Sequence, residues 1–149
     1  AEVLLLKGAP HKRLWANRYN GVGGHIERGE DLLSAARREL AEETGWRAGE
    51  WALAGTLHNA VGYSNEGIVV WFARGLSRGE CNLDEGEFVD VFEADEAELA
   101  ALVQRGDVTD AKTLIGLLWL QNWRAGRCAK RSPPAMRSPR RAPCATGCA

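Results

Sequence analysis

The run from Gly24 to Trp46, GHIERGEDLLSAARRELAEETGW, concentrates residues that can do chemistry. It places Glu30, Glu39, Glu42 and Glu43 with Arg37 and Arg38 in one short loop and helix. Glu39, Glu42 and Glu43 are spaced i, i+3, i+4 and so share one helical face. Like charges at that spacing repel and weaken an isolated helix. A cation is the natural counterpart, and ligands made only of oxygen suit Mg²⁺ or Mn²⁺. Such ions commonly sit beside phosphates. The competing reading is an exposed helix whose charges are simply solvated.

The spacing extends beyond the three carboxylates. Gly24, Glu30, Arg38, Glu39, Leu40, Glu42, Glu43 and Gly45 fit the pattern G-x5-E-x7-R-E-U-x-E-E-x-G-U in register, where U is a bulky apolar residue. Trp46 fills the last position, which is usually aliphatic. The segment resembles the Nudix box, the signature of hydrolases that cleave a diphosphate linked to another moiety X. The resemblance implies an α/β fold, an α/β/α sandwich around a central mixed sheet. It also implies that Glu39, Glu42 and Glu43 ligate Mg²⁺ or Mn²⁺, helped by the Gly24 carbonyl, and that Glu30 and Arg38 form an orienting pair. Enzymes of this family differ in their general base. Some use a box glutamate, here Glu42; others use a glutamate on a later loop, for which Glu85 and Glu87 in LDEGEF are the candidates.

The two halves of the chain point to different X. From Arg47 to Trp123 the chain is similar to ADP-ribose pyrophosphatases, through GTLHNAVGYSNE (55–66), LDEGEFVDV (83–91) and VTDAKTLIGLLWLQ (108–121). That likeness puts Tyr63, Ser64, Asn65 and Glu66 along the substrate pocket. The subfamily often has a proline before the loop glycine, whereas Ala60 and Val61 precede Gly62 here. It also usually begins with an extra sheet that helps form a swapped homodimer, for which this chain has no room. The front half, with KRLWANRYNGVGGHIERGE (12–30), looks more like pyrophosphatases of nucleoside triphosphates, including oxidised ones such as 8-oxo-dGTP. Trp15, Tyr19 and Asn20 would then lie near the base, although Trp15 and Tyr19 read equally well as packing residues. The later half covers more residues, so ADP-ribose leads. A Nudix module that only binds nucleotide is the reading from a different class.

Bulk properties narrow the class. A chain of 149 residues with 45% apolar and 26% charged residues is ordinary for one globular domain. No apolar run reaches a membrane span of about 20 residues. Val3–Leu6 is too short for a signal peptide and is interrupted by Lys7. The chain starts at Ala1 and enters a strand-like run at once, which reads as a fragment or as a chain lacking an N-terminal element. Six of the 19 basic residues and none of the 20 acidic ones fall in 125–149, so residues 1–124 carry a net charge of −7. That argues against nucleic-acid binding by the fold. The cysteines, Cys81, Cys128, Cys144 and Cys148, form no CxxC pair; free thiols in a reducing cytoplasm are expected.

These residues must be positioned by regular elements. The pattern predicts strands at 2–7, 20–24, 51–61, 67–76 and 87–92, and helices at 31–44, 96–104 and 110–123. Leu33, Ala36 and Leu40 give the first helix an apolar stripe, and Leu114, Leu117, Leu118 and Gln121 mark the inner side of the last. The domain is expected to span 1–124. Residues 125–149, with four of the five prolines and no hydrophobic period, read as a disordered tail.

Overall fold

The computed structural model describes residues 2–11, 13, 15–79 and 89–127, with the backbone alone for Val89. Strand β1 (Val3–Gly8) runs between β2 (Tyr19–Asn20) and β5 (Val89–Ala94) and is antiparallel to both. Strands β3 (Trp46–Leu57) and β4 (Ile68–Arg78) form an antiparallel hairpin, in register from Trp46 opposite Arg78 to Leu57 opposite Ile68. A bulge between Leu53 and Gly55 interrupts it. The α/β architecture is as expected. Among the described residues its strands pair in two antiparallel sheets, which short connections favour.

Helix α1 (Leu32–Thr44) is set by its ends. The Asp31 carboxylate accepts hydrogen bonds from the Leu33 and Ser34 amides, both at 3.0 Å, and Gly45 closes the helix at φ 70°. Helix α2 (Glu96–Gln104) starts on a reciprocal capping box between Asp95 and Glu98. Helix α3 (Ala111–Arg124) starts on Asp110.

Two packings build the molecule. Leu5 and Ala94 of the first sheet bury themselves against Leu99 and Leu102 of α2 and against Val108, with Leu114 and Leu117 alongside. The hairpin is covered twice. Trp51 of β3 faces α1, whereas Phe72, opposite Ala52, stacks on Trp123 of α3 at 5.5 Å. Trp51 and Ala52 are neighbours on one strand and point to opposite faces. The two helices therefore sandwich the hairpin.

Some local expectations are corrected. Only Tyr19 and Asn20 pair as β2; the Gly21–Gly24 stretch leaves the ladder, because its amides bond to Thr113 and Glu43 side chains instead. β3 begins at Trp46, five residues earlier than expected, because the Gly79 amide donates to the Gly45 carbonyl at 2.8 Å and carries the pairing to the helix end. Ala35, Leu40 and Thr44 are the buried residues of α1. Leu118 and Gln121 face outward on α3, where Gly116 and Trp119 take the inner side, against Val70 and Gly55. Among the described residues no helix is long and apolar enough to cross a membrane. Residues 128–149, most of the expected tail, lie outside the described residues.

Candidate metal and phosphate site

Arg38 is the hub of the box. Its Nε and Nη2 donate to the two carboxylate oxygens of Glu30 at 3.1 and 3.2 Å, the forked geometry that a guanidinium and a carboxylate share. Nη2 also donates to the His25 carbonyl at 2.9 Å, and Nη1 to Glu42 Oε2 at 2.9 Å. Nη1 stands 3.0 Å from Glu39 Oε1 as a further ion pair. One side chain thus ties the loop before α1 to the helix itself. The Glu30 carboxyl is held below the usual carboxylate range, first by Arg38 and then by the Glu27 amide, which donates to it at 3.1 Å. Arg38 is held above its ordinary value by the same Glu30 pair and by Glu42. The expected orienting pair has the geometry for that role.

The Gly23–Gly24 turn meets the other side of the cluster. Gly23 donates its amide to Glu43 Oε2 at 3.3 Å. Gly24 lies so close to the Glu39 carboxylate that a Cβ there would overlap it. A side chain at position 24 would displace the Glu39 carboxylate from the turn. The turn is held from behind. Gly21 donates to Thr113 Oγ1 at 2.8 Å, and Thr113 in turn donates its amide and hydroxyl to Asp110 Oδ2 at 2.9 and 2.8 Å. Burial would raise the Asp110 carboxyl, but the bonds from Lys112 and Thr113 outweigh it and hold the group low.

The donor set is carboxylate and carbonyl oxygen, which suits a hard divalent cation. Glu39 and Glu43 flank the Gly23–Gly24 turn, so the cradle has the chemistry for one. Among the described residues no three Asp, Glu, His or Cys side chains converge as a finished cage. The reason is visible at Arg38, which draws Glu39 and Glu42 toward itself.

The other expected residues that the structure describes lie on other segments of the chain. Tyr63, Ser64, Asn65 and Glu66 sit on the connection between β3 and β4, organised by the Tyr63 and Ser64 amides donating to the Ala60 carbonyl. Tyr63 is 92% exposed. β3 runs 12 residues from the end of α1, about 40 Å of extended chain, so this loop is at the far end of the hairpin from Glu42 and Glu43. Trp15 is exposed on the β1–β2 connection, at φ 63°. Tyr19 packs edge-on against Phe92 at 5.1 Å and lies partly buried against the core. Glu85 and Glu87 lie outside the described residues. Sequence reading missed Thr113 and the Gly21 and Gly23 amides; the glycine-rich stretch was the only hint.

The sandwiched hairpin, the carboxylate helix and the glycine turn against it define an α/β domain with an acidic cradle on one helix. The NUDIX domain family matches residues 1–114, and the chain belongs to that family. The family expected from Gly24–Trp46 is borne out. The chain is similar to the ADP-ribose pyrophosphatase of Bacillus subtilis (strain 168), 36% identical over 100 residues, covering 66% of this chain and 54% of that protein. A methanol dehydrogenase activator of Bacillus methanolicus matches with the same identity and coverage. The chain spans about half the length of these curated relatives. Its fold is similar to that of a crystal structure described as an ADP compounds hydrolase, with a TM-score of 0.70 and 24% identity over 85% of this chain and 69% of that one.

Proposed function

We propose that this chain hydrolyses a nucleoside diphosphate linked to X, with ADP-ribose as the leading substrate and AMP and ribose 5-phosphate as products. Water adds to one phosphorus, the bridging P–O bond breaks, and each product leaves with one phosphate. The observation that carries the reading is the close approach of the Gly23–Gly24 turn to Glu39 and Glu43, on a helix whose Arg38 is locked to Glu30. The similarity to a Bacillus subtilis ADP-ribose pyrophosphatase supports the choice of X.

In this reading Glu39, Glu42 and Glu43, with the Gly24 carbonyl, hold Mg²⁺ or Mn²⁺. The cation supplies charge neutralisation of the phosphate oxygens and a more acidic water. Arg38 and Glu30 keep the loop and helix in fixed relation, so the carboxylates meet the diphosphate without reorganising. Glu42, Glu85 and Glu87 are the candidate bases. Residues 1–124 are the hydrolase domain.

The test is product analysis with Mg²⁺, offering ADP-ribose and 8-oxo-dGTP in parallel to the wild type and to Glu43→Gln. The substitution is nearly isosteric and removes one ligand charge. AMP from ADP-ribose is expected, with turnover lost in a variant that melts like the wild type. Pyrophosphate from the oxidised triphosphate would transfer specificity to the front half. Full activity in a folded Glu43→Gln would remove Glu43 from the site.

A further inference from the structure

A cleft of about 310 Å³ opens between α1 and the start of β3, lined by Arg37, Arg38, Ala41, Arg47, Ala48 and Trp51, with Leu40 at its floor. At 100° per residue, Arg37 and Ala41 point to the side of α1 opposite Glu39 and Glu43. The cleft is therefore separate from the carboxylate cradle, and only the Arg38 stem adjoins both.

Its lining carries arginines that no carboxylate among the described residues neutralises at close range. Arg18 pairs with Asp107, Arg74 with Glu50, Arg105 with Asp107 and Arg38 with Glu30. Among the described residues Arg37 and Arg47 make no hydrogen bond and no close ion pair, Arg37 attracting Asp31 only at longer range, and both border one cleft. Arg47 passes beside the Gly79 backbone. Trp51 supplies the apolar wall, and its indole N–H donates to the Ala48 carbonyl at 3.3 Å, which fixes the ring. Two guanidinium groups beside a fixed indole match a phosphate attached to a flat ring. The volume lies at the small end of ligand pockets, the size of a mononucleotide rather than of a dinucleotide.

We propose that the α1–β3 cleft is a second, metal-independent site for a mononucleotide, with Arg37 and Arg47 on its phosphate and Trp51 against its base. The site stands apart from the hydrolytic reading, because it uses none of the carboxylates.

The experiment is titration of AMP and of inorganic phosphate into the full chain with EDTA present, followed by calorimetry and by the Trp51 indole resonance, assigned with Trp51→Phe. AMP is expected to saturate and shift that resonance, with phosphate weaker. The Arg37→Gln/Arg47→Gln variant should weaken AMP at least about tenfold. Glu43→Gln should leave it unchanged. Both arginines are exposed, and the two single variants, each expected to weaken AMP, stand in if the double variant fails to fold. AMP binding that survives loss of both arginines, that vanishes in Glu43→Gln, or that leaves the Trp51 resonance unmoved would overturn the site. Equal affinity for phosphate and AMP would remove the base from the assignment and overturn the mononucleotide.

Discussion

Charge pairing at Arg38 governs the chemistry residue by residue. A guanidinium that joins Glu30, Glu39 and Glu42 lets an acidic helix stand without unbalanced repulsion. The arrangement has a pH signature. The Glu30 carboxyl lies below its ordinary value of 4.5 in the folded state, chiefly through Arg38. Its contribution to stability is therefore fully present above that value and is lost as pH falls through the lowered folded value. Thermal melts between about pH 6 and pH 3 should show a falling midpoint, with a shallower fall in Glu30→Gln. Identical slopes in both proteins would show that the pair does not couple to folding. Glu43, by contrast, is expected to matter for turnover and not for folding, which is why its variant separates the site from the scaffold.

Contacts between elements decide where the glycine turn sits. It is strung between the N-terminus of α3 and the carboxylates of α1, through Thr113 on one side and Glu43 on the other. Thr113→Val keeps the shape and removes the hydroxyl, leaving the Gly21 amide without its acceptor. A stability loss of about 1 kcal/mol is expected, together with a lower kcat as the turn loosens. Wild-type kcat with only a lower melting point would limit Thr113 to a packing role. The other face of the hairpin depends on a missing side chain. A Cβ at Gly55 would meet the Trp119 ring at 2.9 Å, so Gly55→Ala forces α3 outward. Overpacking of this kind costs about 1–3 kcal/mol, and denaturant unfolding would measure it. Restored stability in Gly55→Ala/Trp119→Leu would identify the ring as the cause.

For the molecule as a whole, α3 is the last described element. α3 ends at Arg124, and the Ala125, Gly126 and Arg127 amides bond back to carbonyls of its last turn. The family match ends earlier still, at residue 114. A chain ending at Arg127 is expected to keep hydrolysis of the proposed substrate and its melting temperature. Loss of either would give the basic, proline-rich end a part in the fold or in substrate capture. An acidic body of net charge −7 provides no general positive field, so capture of the proposed phosphate substrate would rest on local groups.

The sequence alone determined whatever depends on local spacing. The i, i+3, i+4 carboxylates and the fixed spacing from Gly24 to Gly45 are settled within a short stretch of chain, so the helix and the family could be read directly. Alternation marked the strands, though not their ends, because pairing partners set those: Gly79 extends β3 back to Trp46. Faces were harder. Leu118 turned out exposed and Tyr19 half-buried in an aromatic contact, since a half-apolar helix or a lone aromatic has several partners until the sheet arrives. Tertiary structure alone decided that Gly24 meets Glu39, that Thr113 holds Gly21, and that Arg37 and Arg47 face a common cleft. These contacts join residues far apart in the chain, and their distances follow from packing, which no local spacing encodes.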